Sequence, residues 1–260
     1  MCLIISAFKH HRDYPLVIAA NRDEFYDRPT APAAFWDDYP DILGGRDLKE
    51  GGTWLGLHRS GRLAAITNYR DPRRQKPGAP SRGKLVRSFL TGGTDPSSYL
   101  DAVRPQAARY NGFTLLLGTI DALSCYSNIS GAERFIEPGI HGLSNHLIDT
   151  PWPKVQRGKE RLEQILSTES FPSPGTILDM LEEQNRPPDH LLPDTGIDIE
   201  WERALSPLFV ASPFYGTCSS TVVLVHRNGT VLFVERDQRP GPGKGREARF
   251  EFTITNGIPS

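Results

Sequence analysis

Cys2-Leu3-Ile4-Ile5-Ser6-Ala7-Phe8 and Leu16-Val17-Ile18-Ala19-Ala20-Asn21-Arg22-Asp23-Glu24, separated by the charged residues 9–15, decide how this chain folds. Each apolar run is short and rich in β-branched residues, which suits a strand better than a helix. Strands with so little polar character are buried on both faces, and the polar turn between them makes a hairpin. The second strand ends in four consecutive polar groups. If the hairpin returns them to the mouth of the first strand, Arg22 favours the Cys2 thiolate and Asp23 holds an amine at Cys2. A solvated turn with a local ion pair fits the same four residues equally well.

Working outward, residues 28–40 hold three prolines and three large aromatics (Phe35, Trp36, Tyr39), predicting an ordered loop. Gly44-Gly45-Arg46-Asp47 and Gly51-Gly52 bracket a polar turn before strands over 53–57 and 63–68. Apolar spacing predicts helices over 84–91 and 97–110, the latter interrupted at Pro105, then strands over 113–119, 123–129 and 134–136. Helices follow over 154–167 and 176–184, and three closing strands over 219–226, 230–236 and 248–255, the first two joined by Asn228-Gly229. Hairpins throughout, with helices segregated in pairs, predict an α+β domain of antiparallel sheets spanning residues 1–260.

Composition narrows the function. With 30 Lys+Arg against 31 Asp+Glu, the chain offers no general grip on nucleic acid. No apolar run approaches the roughly 18 residues that cross a bilayer, and no secretory signal precedes the first strand. Cys2, Cys125 and Cys218 form neither a CxxC nor a Cys/His set at metal-ligand spacing. A reducing compartment is expected, cytoplasmic or organelle-associated, with no metal. GxSxG, GxGxxG, GxxxxGK[ST] and HExxH are absent, so the serine-elbow, dinucleotide, P-loop and zincin readings lack their anchors.

Cys2 is the unusual residue. A small second residue permits removal of Met1, which leaves one residue holding both a thiol and an α-amine. Their unperturbed pKa values, about 8.5 and about 7.7–8, are close enough for the amine to take the thiol proton near neutrality. An N-terminal nucleophile activated by its own amine is an established solution to acyl transfer. A small apolar residue beginning a buried strand is the plainer account of the same cysteine. Asn68 and Asn145, each at a strand end, carry amide donors suited to an oxyanion, or to an Asx-turn. The aromatics Phe35, Trp36, Tyr39, Trp152 and Trp201 are candidates either for lining a hydrophobic cavity or for core.

Taken together, several blocks resemble the NRDE family, the homologues of transport and Golgi organisation protein 2. These are Met1-Cys2, Asn21-Arg22-Asp23-Glu24-Phe25 with Arg28-Pro29-Thr30, Gly44-Gly45-Arg46-Asp47 with Gly51-Gly52-Thr53-Trp54-Leu55-Gly56, and Thr67-Asn68-Tyr69-Arg70. Gly142-Leu143-Ser144-Asn145, the run from Asp149 through Trp152 to Val155, and Tyr215-Gly216-Thr217 before Ser219-Ser220-Thr221 extend the match along nearly the whole chain. That family resembles the N-terminal nucleophile hydrolases of the penicillin acylase and bile-salt hydrolase type. The resemblance implies a four-layer αββα sandwich, Cys2 as nucleophile with Arg22 and Asp23 beside it, and Asn68 and Asn145 as oxyanion donors. It implies an amide or thioester of a small, partly apolar acyl compound as substrate. It also raises a second role, as a non-catalytic carrier of haem or another hydrophobic metabolite, with haem as cargo and not as cofactor. One departure is Cys218, where the family generally places Arg, which replaces a fixed cation with a neutral thiol.

Overall fold

The computed structural model describes residues 2–168 and 171–255, and the described residues form thirteen strands and five α-helices. The strands before the first helix are β1 (Cys2–Phe8), β2 (Leu16–Phe25), β3 (Thr30–Trp36), β4 (Tyr39–Asp47), β5 (Leu55–His58) and β6 (Arg62–Asn68). Helices α1 (Gly83–Thr91) and α2 (Pro96–Val103) lead to β7 (Phe113–Thr119), β8 (Leu123–Ser127), β9 (Glu133–Phe135) and β10 (Gly139–Leu143). Helices α3 (Pro153–Thr168), α4 (Pro174–Leu181) and α5 (Ile199–Ala204) precede β11 (Tyr215–Val225), β12 (Thr230–Asp237) and β13 (Glu247–Thr253). One sheet runs β10-β1-β2-β11-β12-β13 and the other β3-β4-β5-β6-β7-β8-β9, with every pairing antiparallel.

Alternation along the first hairpin assigns the layers. Ile4, Phe8, Leu16, Ile18 and Ala20 enter the core between the sheets, where they meet Leu43, Leu57, Leu63 and Leu116 of the other sheet. Their neighbours Leu3, Ile5, Ala7, Val17 and Ala19 turn the other way, onto Val155, Leu162, Ile177 and Leu181 of α3 and α4. Ile42, Ala64, Ile66, Leu115 and Leu117 bury the far face of the second sheet under Leu85, Val86 and Phe89 of α1 and Leu100 of α2. The result is the four-layer αββα order, and it explains why β1 and β2 are continuous apolar runs: each is covered on both faces.

One expectation from sequence is corrected, and one pair of alternatives is decided. Residues 28–40 are not a loop: β3 occupies most of them, tolerating Pro32 because β3 is an edge strand and its register shifts between Ala31 and Ala34. Gly44-Gly45-Arg46-Asp47 and Gly51-Gly52 do bracket a turn, at residues 48–50, and the first block forms the end of β4; a Cβ on Gly44 would lie 2.7 Å from the Leu55 carbonyl oxygen, so close strand approach requires the glycine. Of the two readings of Phe35, Trp36 and Tyr39, core is the one observed. Trp36 is buried with its indole N–H donating to the Gly44 carbonyl at 2.9 Å, Tyr39 packs against the same core under α1, and Phe35 packs on Phe250 and Phe252. The glycine-rich β10 and the six-residue α5 have no periodic signal in the sequence.

Helix α3 is pressed unusually close to the first sheet. A Cβ on Gly158 would sit 2.8 Å from two atoms of the Ile5 side chain, and one on Gly142 of β10 would sit 2.5 Å from Val155. His141 and Lys159 fasten the same joint: the imidazole Nδ1 bonds Asp149 Oδ2 at 2.8 Å, and the ammonium donates to Asp149 Oδ1 at 2.9 Å. These contacts hold down the helix whose first turn reaches the candidate site.

Two outcomes follow for this joint. Gly158→Ala gains up to about 1 kcal/mol in helix propensity but overpacks a filled core at about 1–3 kcal/mol. A net loss of about 1 kcal/mol is expected in urea unfolding, with part of it recovered in Gly158→Ala/Ile5→Val. The second concerns pH. The bond to Asp149 raises the His141 pKa, so this pair's contribution is full below the unfolded value of about 6.5 and fades as pH rises through the folded value. The Tm gap between the parent and His141→Gln should therefore narrow between pH 6 and 8.

Candidate active site

Cys2 and Arg22 are direct partners across β1 and β2. Side chains alternate along a strand, so Cys2 continues the inward row of Ile4 and Phe8, while Arg22 continues that of Leu16, Ile18 and Ala20. Both open into a cleft of about 760 Å³ between the sheets, whose wall also includes Trp54, Asn68, Arg82 and Cys218. This volume lies in the range of small-molecule sites. Cys2 is 7% exposed. Burial pushes its thiol pKa up and the Asp23 charge acts in the same direction, while Arg22 and the Asp23 backbone N–H oppose them.

Asp23 follows Arg22 and turns to the opposite face of β2. It is 1% exposed, and its Oδ1 accepts from Thr217 Oγ1 at 2.8 Å. Burial pushes its carboxyl pKa up; Lys154, in the first turn of α3, is the strongest of the groups holding it down. Behind Asp23 lies a cluster of buried charge. Arg70 Nη1 donates to Glu202 Oε2 at 2.5 Å, its guanidinium stacks 4.8 Å from the Trp152 ring, and Glu202 Oε1 accepts from both the backbone N–H and the hydroxyl of Thr195. Buried ions survive when paired, and removing one member of a pair is strongly destabilising.

The two asparagines part company. Asn68, at the end of β6, lines the cleft. Asn145 is fully buried behind it: its Nδ2 donates to the Asn68 carbonyl at 3.1 Å, its Oδ1 accepts from Arg70 at 3.4 Å, and its own carbonyl accepts from the Arg70 backbone N–H at 2.8 Å. The neighbouring Ser144 hydroxyl donates to the Cys2 carbonyl at 3.3 Å. Cys2, Arg22 and Asn68 therefore share the cleft wall, and Asn145 ties Asn68 to the charged interior. Asn21 faces the helices, where its amide donates at 2.9 Å to the carbonyls of both Leu181 and Leu208. Removal of Met1 concerns a residue outside those described.

Cys218 sits where the β11 register shifts against β2, between Thr217 and Ser219. Burial raises its thiol pKa to about 11, so the group stays neutral and supplies no charge. Positive charge at the cleft comes from Arg22, from Arg28 bound to Asp47 at 2.6 Å, from Arg82, which donates to the Gly112 carbonyl at 3.0 Å, and from Arg239 and Arg246. Cys125 lies in the inter-sheet core with its thiol raised to about 12. Trp152 is half-buried against Arg70, and Trp201 is 44% exposed, edge-on to Tyr215; neither lines the cleft. No cluster of three His, Cys, Asp or Glu suited to a metal occurs among the described residues, and none of their helices is long and apolar enough to cross a membrane.

Sequence reading missed Lys154, Arg70, Glu202 and Arg82. One signal did exist for Lys154, because a cation in the first turn of a helix opposes the helix dipole and asks for a reason. Arg70 and Glu202 look like ordinary surface charges until β6 and α5 meet.

Among solved structures, the chain is similar to a Caenorhabditis elegans N-acylethanolamine-hydrolyzing acid amidase ortholog, with 11% identity and a TM-score of 0.48 over 86% of this chain and 92% of that one. It is also similar to a conjugated bile acid hydrolase from Clostridium perfringens, with 10% identity and a TM-score of 0.45 over 100% and 99%. The layer order stands on the strand pairing described above, independently of these distant likenesses. Curated relatives are far nearer. The mouse Transport and Golgi organization 2 homolog is 37% identical over 98% of this chain and 99% of its own length, and the Drosophila melanogaster protein is 28% identical over 94% of each. With the family model for Transport and Golgi organisation 2 matching residues 1–240, the chain belongs to that family.

Proposed function

We propose that this protein is a cysteine hydrolase of the N-terminal nucleophile type, acting on an amide or thioester of a small, partly apolar acyl compound. The observation that carries this reading is Cys2, at the head of a strand and on the wall of a cleft large enough for such a compound. The wall mixes Trp54 and Ile66 with Arg22 and Arg82, which suits a substrate with an apolar and a polar end. A thiol whose pKa is raised by burial needs a base beside it, and after loss of Met1 the α-amine of the same residue supplies one.

In this mechanism the amine takes the Cys2 proton as the sulfur bonds to the carbonyl carbon. The carbonyl π electrons move to oxygen, where the Asn68 amide can donate. Collapse of the intermediate expels the amine or thiol, which leaves with the proton, and a thioester to Cys2 remains. Water, deprotonated by the same α-amine, attacks that thioester and releases the acid. Asp23 holds the amine, and Arg22 favours the thiolate. Carriage of haem or another hydrophobic metabolite gains less support, because the aromatics expected to line a cavity lie in the core or at the surface.

Intact mass spectrometry should find Met1 removed in active protein. Across a panel of acyl p-nitroanilides and simple acyl thioesters, Cys2→Ala should reduce turnover about 10⁴-fold or more, and the parent should show an acyl adduct on the Cys2 peptide. Active protein that retains Met1, or turnover that survives Cys2→Ala, would sink the reading. Absent turnover together with a spectral change on haem titration would favour carriage.

A further inference from the structure

Lys154 is 3% exposed, and its ammonium nitrogen has no hydrogen-bond partner among the described residues. It stands in the first turn of α3, against the helix dipole. Arg70, Trp152 and Glu202 line the same small recess as Lys154, and the charged and titratable groups that act on its ammonium are Asp23 from β2, Arg70 after β6, Cys2 from β1 and Glu202 from α5, with Tyr215 of β11 bonded to the Asp23 carbonyl at 3.0 Å. Arg70 and Glu202 already neutralise each other at 2.5 Å. Within this group, Asp23 is therefore the carboxylate that balances Lys154. Packing gives Lys154 little freedom to leave, since Gly158 one turn later lies against Ile5.

The arrangement answers a difficulty in the site. A carboxylate is needed to hold an α-amine at Cys2, yet the same negative charge disfavours the thiolate and favours the protonated amine, so it opposes the reactive state twice. A fixed cation behind the carboxylate removes this conflict. We propose that Lys154 is a positioning residue of the site: its buried ammonium keeps Asp23 ionised and cancels the field of that carboxylate at Cys2. Asp23 can then orient the amine without quenching the nucleophile. The purpose given to Lys154 rests on the hydrolase reading, but the charge relation itself is measurable without turnover.

The test is the rate of Cys2 alkylation by iodoacetamide from pH 6 to 10, in protein whose mass shows Met1 removed, with the adduct mapped by peptide to exclude Cys125 and Cys218. Lys154→Met should move the apparent midpoint up by about one pH unit and slow alkylation at pH 7.5 about tenfold. Asp23→Asn/Lys154→Met, which removes both charges, should return the midpoint to within about 0.3 unit of the parent, the non-additivity expected of two electrostatically coupled groups. An unmoved midpoint in a Lys154→Met protein with native near-UV circular dichroism overturns the proposal, as does a double variant displaced as far as the single. If Lys154→Met alone does not fold, recovery of folding in the double variant supports the pairing, and an equally unfolded double variant overturns it. Failure of the hydrolase reading has a different signature, turnover surviving Cys2→Ala, which leaves the alkylation midpoint where it was.

Discussion

The antiparallel register of β1 on β2 governs everything at the candidate site, because alternation along a strand converts sequence position into direction. With Cys2 opposite Arg22, the thiol and the guanidinium border the cleft between the sheets, and Asp23, the next residue, is buried at its edge. A slip of one residue would turn every side chain of β1 to the other face, placing the thiol under α3. The register is hard to slip. Both faces of both strands are buried, so every inward or outward apolar residue would have to exchange places as well.

That constraint creates the electrostatic problem that the rest of the interior resolves. Asp23 is 1% exposed, so water does little to stabilise its charge. Lys154 from α3 is the strongest of the groups that favour its ionised form, and Arg70 and Glu202 form a buried ion pair nearby. Asn145 joins this interior to the cleft wall, bonding Arg70 on one side and Asn68 on the other. The site is thus a thin wall with reactive groups on one face and compensating charge on the other. Residues from β6, β10, α3 and α5, distant in sequence, must all arrive for the charges to cancel.

Much of this was legible beforehand. Strongly periodic elements such as α3, and the hairpins at 16–20 and 219–236, declare themselves because burial on a known face leaves a period of 3.6 or 2. The Asn21-Arg22-Asp23-Glu24 run signalled a polar site because four such residues at the end of a buried strand need partners. The illegible parts have equally physical causes. β3 and β4 carry proline and glycine, which usually mark turns; here an edge position and a close strand contact accommodate them. The aromatic cluster 35–39 was ambiguous because core and cavity draw on the same side chains, and packing resolved it toward core.

Residue order alone determined that Cys2 begins a buried strand, that a second buried strand follows it in a hairpin and ends in four polar residues, and that antiparallel sheets alternate with paired helices, since local periodicity and turn chemistry carry that information. Tertiary structure alone decided which face each polar group takes, that Asn68 reaches the cleft while Asn145 stays behind it, and that a lysine 131 positions downstream of Asp23 balances it. Those outcomes depend on burial and on charges brought together from separate elements. Neither quantity exists until the layers close.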